Sequence, residues 1–250
     1  MTGADVARLD SLPPPVRRYL RFAVPANAPP IRTVHLRHDG FFRQHPKQRW
    51  FAIQGEQYFT LDPPGFVWRG RIRMLPFLWI DARDSLISGQ GRMVVKFNSI
   101  FTMANVRGPE VDQGAQARWL AEMVWFPPAF AGERIQWEPI DDRSARATLL
   151  GEALPVSLVM EFDDQDRAVR VRGQRYRTVA GGKTVLTPWS GSCTDYSNFS
   201  GMQIPSCVEV TWDFEPEPFT YARFHVTELE YNPPSRSLAD SPTTPRAAAG

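Results

Sequence analysis

From residue 31 onward, apolar and polar positions alternate. Val34 and Leu36 are apolar while Thr33, His35 and Arg37 are polar, the period of two that marks a strand with one buried face. The pattern predicts further strands over about 49–61, 66–74, 77–88 and 91–106. It resumes over 134–139, 144–150, 155–163, 167–178, 183–196, 205–214 and 219–231. Asp62-Pro63-Pro64-Gly65, Asp163-Asp164-Gln165-Asp166 and Ala180-Gly181-Gly182 carry turn chemistry between them. In the third strand Phe66, Trp68, Ile72 and Met74 fall on one face, and Val67, Arg69, Arg71 and Arg73 on the other.

Two segments break this period. Residues 11–22 place Val16, Tyr19 and Leu20 at helical spacing after Pro13-Pro14-Pro15, which predicts a short amphipathic helix ended by Pro25, Pro29 and Pro30. Residues 109–126 predict the one long helix. Pro109 suits its first position, Glu110 and Asp112 complement the positive end of its dipole, and Pro127-Pro128 stop it. Its second half carries Trp119, Met123, Val124, Trp125 and Phe126 with a single carboxylate, Glu122. A dozen short strands around one aromatic helix predict a fold dominated by β-structure with few helices. It is one strongly curved antiparallel sheet, half-barrel or closed barrel, around or lidded by that helix. Closure leaves no mark in a sequence, so both forms stay open. No linker or repeat interrupts 11–231, which reads as a single barrel-like domain between a flexible 1–10 and a disordered tail over 232–250 rich in Pro, Ser, Thr and Ala.

Composition narrows the function. Of 250 residues 42% are hydrophobic, enough for a real core, and the 12% aromatic share with 8 Trp suits a binding cavity as well as a core. A net charge of +2 does not argue for a nucleic-acid partner. Arginine greatly outnumbers lysine, a bacterial flavour of composition. No apolar run approaches the roughly 20 residues of a transmembrane helix, and the first residues lack a secretory signal, so the expected address is the cytoplasm without integral membrane contact. Cys193 and Cys207 flank Asn198-Phe199-Ser200-Gly201 symmetrically. In a hairpin centred near Ser200 they face each other across the strands, and two reduced thiols are the plainer expectation.

Several phrases carry a resemblance. Leu12-Pro13-Pro14-Pro15-Val16-Arg17-Arg18-Tyr19-Leu20, Pro64-Gly65-Phe66-Val67-Trp68, Ala121-Glu122-Met123-Val124-Trp125-Phe126-Pro127, Leu186-Thr187-Pro188-Trp189 and Gly201-Met202-Gln203-Ile204-Pro205-Ser206 occur in this order. Asp142-Arg143-Ser144-Ala145-Arg146-Ala147-Thr148 joins them. Over most of 11–231 the chain resembles an uncharacterised bacterial family known only as a domain of unknown function, which brings no activity and no catalytic residue. The element order, a helix and then meandering strands around an internal helix, is also similar to the lipoprotein-carrier (LolA-like) half-barrel, from which the chain departs in lacking a secretion signal.

The candidate chemistry follows from this shape. Trp68, Trp119, Met123, Trp125, Phe126 and Trp189 are candidate walls of a cavity for a bulky hydrophobic small molecule, set against plain core packing of the same stripe. Glu122 has Trp119, Trp125 and Phe126 as helical neighbours. Facing inward, it would be desolvated, with a raised pKa and the capacity for proton transfer; against that stands a simple pair with Arg118. Tyr196 is the second catalytic candidate. Arg69 could bind an anionic group of the ligand, although a solvated outer face explains the Arg69, Arg71, Arg73 row as well. Asp141, Asp142, Arg143 and Arg146 read as a turn with a local ion pair. The four histidines lack metal spacing, and no nucleophile elbow, dinucleotide motif or phosphate loop occurs, so no metal or cofactor is expected. The leading expectation is a hydrophobic-ligand binder, plausibly a cofactor-independent cyclase or isomerase of a polyketide- or terpenoid-like metabolite. It would act by folding its substrate into a near-attack shape. A non-enzymatic carrier and an interaction domain with a filled core are the alternatives.

Overall fold

The structure, a computed structural model, describes residues 8–151, 153–154, 156–179 and 182–234. The expectations for the two termini fall largely outside these residues, and the Ala180-Gly181-Gly182 turn partly so. Helix α1 (Pro14–Ala23) precedes six strands: β1 (Thr33–Phe42), β2 (Phe51–Thr60), β3 (Gly65–Leu75), β4 (Leu78–Ile87), β5 (Gln90–Phe97) and β6 (Phe101–Val106). Helix α2 (Pro109–Glu122) runs into two 3-10 turns, Met123–Trp125 and Pro127–Ala131. Seven strands follow: β7 (Ile135–Asp141), β8 (Ser144–Leu149), β9 (Val156–Phe162), β10 (Ala168–Thr178), β11 (Thr184–Phe199), β12 (Met202–Trp212) and β13 (Phe219–Tyr231).

All 13 strands form one antiparallel sheet in the order β6-β5-β4-β3-β2-β1-β13-β12-β11-β10-β9-β8-β7. Two meanders are thus sewn together at the middle by β1 and β13, with Val34 opposite Tyr231. Among the described residues β6 and β7 pair on one side only, so the sheet is an open, curled half-barrel rather than a closed barrel. Its outer face carries ion pairs, Arg37 with Glu56 and Glu228, and Arg71 with Asp81. Its inner face is apolar and wraps α2, which is buried on nearly every side from Gln113 to Ala121. Gly91 lets β5 approach the start of α2: a Cβ there would meet Val111 O at 2.5 Å, and its N–H donates to Asp112 Oδ1 at 2.6 Å. At one end of the sheet α1 packs on the 3-10 turns, with Tyr19 against Phe130 and its hydroxyl donating to Val124 O at 3.3 Å.

Three local expectations change. The single strand over 91–106 is two, because Asn98 and Ser99 adopt left-handed φ of 48° and 62° and fold a hairpin between β5 and β6. The long helix leaves α geometry at Glu122, four residues early; Phe126, before Pro127, is non-helical at φ −139° and ψ 68°. The two cysteines do not oppose each other. Ser200 and Gly201 both take positive φ and form a two-residue turn, so the hairpin is centred between them. Cys193 then pairs with Val208 and Cys207 with Thr194, on opposite faces, and both thiols are free.

Candidate functional site

Between α2 and the concave face lies a cavity of about 300 Å³. That is at the lower end of the roughly 300–1,000 Å³ of small-molecule sites. Its walls come from both meanders: Phe51, Ile53, Trp68, Ile72, Ile80 and Val95 on one side, Val171, Trp189, Val208, Val210 and Phe224 on the other. Alternation explains why, since these residues share the inward parity of their strands. A second depression, of about 480 Å³, opens mainly on the outer face beside Arg146, Arg172 and Tyr176.

Helix α2 contributes Arg118, Ala121 and Glu122, an i, i+3, i+4 stripe, and the 3-10 turn after it adds Val124 and Trp125. Trp119, Met123 and Phe126 are each one position further round, about 100° away. They pack in the core instead of on the cavity wall. Trp119 Nε1 donates to Thr60 O at 3.0 Å, and Phe126 sits 5.6 Å from Trp119 and 4.7 Å from Phe59 between ring centroids. Trp68, Trp125 and Trp189 do line the cavity.

The polar part of the wall is one closed network around Arg118. Its Nε donates to Glu122 Oε1 at 2.8 Å, its Nη1 to Asp84 Oδ2 at 3.0 Å and its Nη2 to Gln57 Oε1 at 3.0 Å. Gln57 Nε2 completes the ring by donating to Glu122 Oε2 at 2.7 Å. The guanidinium is also held 5.0 Å from the ring centres of Phe66 and Trp68. The side chains of Arg118, Glu122 and Asp84 are only 15%, 14% and 6% exposed. One cation thus faces two buried carboxylates. Burial pushes the Glu122 carboxyl above its usual range, against the opposing pull of Arg118. Burial works against the Arg118 charge too, but Glu122 and Asp84 outweigh it and hold the guanidinium ionised. Glu122 therefore does pair with Arg118, and both its oxygens already accept hydrogen bonds.

Beside this network, Trp68 Nε1 donates to His38 Nε2 at 2.9 Å across Gly55, where a Cβ would lie 2.2 Å from that nitrogen. His35 points outward to Glu56 at 2.8 Å, so the two histidines occupy opposite faces, as the strand period predicts. Among the described residues no group of three His, Cys, Asp or Glu side chains could hold a metal ion.

Two other candidates lie elsewhere. Arg69 is on the outward parity of β3, opposite Glu56 and Arg83, because Trp68 takes the inward one. Tyr196 is half-buried against α1, edge-on to Phe22, with its hydroxyl donating to Ala168 O at 2.8 Å and its pKa driven upward by burial. It holds the helix rather than the cavity. Asp141 and Arg143 form the β7–β8 turn, while Arg146 pairs separately with Glu138. Asp84, Gln57 and Arg175 are cavity or network residues that the sequence analysis passed over. Each is a polar residue on the apolar parity of its strand, Asp84 with Ile80, Ala82 and Leu86, and that mismatch is the signal by which it is found.

Residues 3–224 match the model of a family described as "Family of unknown function (DUF6544)". The chain belongs to this family. The family resemblance read from the sequence is thereby borne out, and the LolA-like one recurs among solved structures. A LolA superfamily protein from Nitrosomonas europaea matches at 10% identity and a TM-score of 0.42, covering 86% of this chain and 91% of that one. A putative outer membrane lipoprotein-sorting protein domain from Vibrio parahaemolyticus matches at 7% identity and a TM-score of 0.46, with 82% and 87% covered. No curated protein matches the chain.

Proposed function

We propose that this protein binds a hydrophobic small molecule between α2 and the concave face of the sheet. The observation that carries this reading is the cavity itself. Its walls are apolar and aromatic, apart from Gln44, Gln48, Arg175 and one charged network whose hydrogen bonds are made within the protein. Such a wall stabilises an apolar guest by removing it from water, at about 25 cal/mol per Å² of buried surface before the costs of association. Native mass spectrometry of freshly purified protein, followed by organic extraction, tests it. A discrete apolar adduct is the expected result. A clean apo mass, together with a melting temperature unmoved by a panel of apolar ligands, would overturn it.

A second reading is a cofactor-independent cyclase or isomerase of a polyketide- or terpenoid-like metabolite. Its support is Glu122, a wall carboxyl whose protonated form is favoured by burial. Proton transfer would require Glu122 to exchange one of its two internal partners for substrate. Under this reading Glu122→Gln abolishes turnover and leaves ligand affinity intact; equal turnover in both proteins removes Glu122 from the chemistry. The non-enzymatic alternative is a carrier of the same ligand.

A further inference from the structure

The polar atoms of the Arg118 network satisfy one another, so a ligand's polar group finds its partners elsewhere. Among the described residues, three buried side-chain atoms lack a hydrogen-bond partner: Arg175 Nε, Arg177 Nε and Gln113 Oε1. They come from one region, the end of β10 and the facing part of α2. Arg175 lines the cavity and stacks 5.0 Å from the ring centre of Trp189, which also lines it. Its Nη2 lies 3.7 Å from where a Cβ on Gly114 would sit, next to Gln113. Arg177 is two residues on, so it shares the inward face about 7 Å away, and it stacks 4.8 Å from Phe214 and 6.0 Å from Trp212. Among the described residues neither guanidinium has an ion pair. At this end of the sheet Asp213 is engaged by Ser190 and Arg170, and neither Glu215 nor Glu217 pairs with either arginine.

Aromatic stacking therefore holds both guanidinium groups in place while the buried Nε–H of each is left without an acceptor. Buried donors without partners are costly, and guanidinium forks match carboxylate and phosphate oxygens. We infer that the ligand is an amphiphile with an anionic head, a carboxylate or a phosphate, held by Arg175 and Arg177. Its apolar tail runs inward over Val171, Gly191, Val208 and Val210 toward Trp125. This assignment rests on the ligand-binding reading above and narrows its chemistry.

Isothermal titration of the full chain with decanoate, decyl phosphate and decan-1-ol separates the two. The anionic probes are expected to bind roughly ten- to a hundredfold more tightly than the alcohol, and the tighter of the two identifies the head. R175Q/R177Q should bring both anions down to the affinity that the alcohol shows in the same variant, a loss far larger than the alcohol's own, with an unchanged circular dichroism spectrum reporting that the fold is intact. R175K, which keeps the charge and loses the fork, should fall between. Equal binding of decan-1-ol and the anions by the unaltered protein overturns the anionic head and leaves hydrophobic binding standing. Equal loss of all three probes in the double variant overturns the headgroup role of the arginines. Binding of none of the three overturns the hydrophobic-ligand reading and this one together.

Discussion

His38 shows how one buried side chain couples the site to pH. It lies between Trp68 and Phe224, with a centroid separation of 4.6 Å to the latter. Burial, reinforced by the Arg118 charge, lowers its pKa from 6.5 to about 4. The bond accepted at Nε2 agrees with this, because a neutral ring can accept there and a charged one cannot. The folded state therefore takes up this proton less readily than the unfolded chain. The contribution to stability is whole above pH 6.5 and falls as the pH drops toward 4, by about 3 kcal/mol. His38→Gln supplies an acceptor to Trp68 without titrating. Urea midpoints measured at pH 7 and pH 4 should converge in this variant relative to the wild type; an unchanged acid loss would assign the titration to other groups. The same scale explains why Asp84 and Arg175 were passed over. A polar residue at an apolar parity looks like an exception to a strand pattern until its partners, brought from α2 or from nowhere, are known.

At the scale of elements, the strand period was legible almost throughout, and β13 runs over the predicted residues 219–231. What alternation does not carry is how a strand ends. The hairpins at Asn98-Ser99 and Ser200-Gly201 are set by backbone conformation at two residues, and a one-residue difference in the second turns the cysteines to opposite faces. For α2 the sequence announced a helix but not its rotation, and the rotation decided that Arg118, Glu122 and Trp125 face the cavity and Trp119, Met123 and Phe126 the core. A helix buried on nearly all sides has no polar stripe from which to read its orientation. Its seat depends on close backbone contact with β5. Gly91→Ala would thrust a Cβ to 2.5 Å from Val111 O. It is expected to cost about 1–3 kcal/mol as an overpacked core does, read as a lower urea midpoint with an unchanged slope. A neutral result would mean that α2 shifts freely on the sheet.

At the scale of the molecule, the two meanders depend on a seam between the ends of the chain. Strand β1 has β2 on one side and β13 on the other, so the whole sheet passes through a pairing of the most distant segments. Removal of β13 exposes the inner edges of both halves and unroofs the cavity wall at Tyr221, Ala222 and Phe224. A chain ending at Trp212 is expected to lose cooperative unfolding altogether, followed by far-ultraviolet circular dichroism against urea. A sharp transition in that shortened chain would show that the halves fold independently. Contacts this distant in sequence also make folding slow, on the order of milliseconds to seconds.

The sequence by itself determined the class of the fold, nearly all the positions of the strands, and the one long helix among them. Those properties follow from periodicity and from proline, glycine and asparagine chemistry, which act over a few residues. Only the tertiary structure decided that the sheet stays open, which stripe of α2 faces the cavity, that Glu122 is bound on both oxygens, and that, among the described residues, the buried arginine Nε atoms without a partner belong to Arg175 and Arg177. Each of these depends on which residues meet across the sheet, and a chain's local pattern holds no record of which distant partner a side chain will meet.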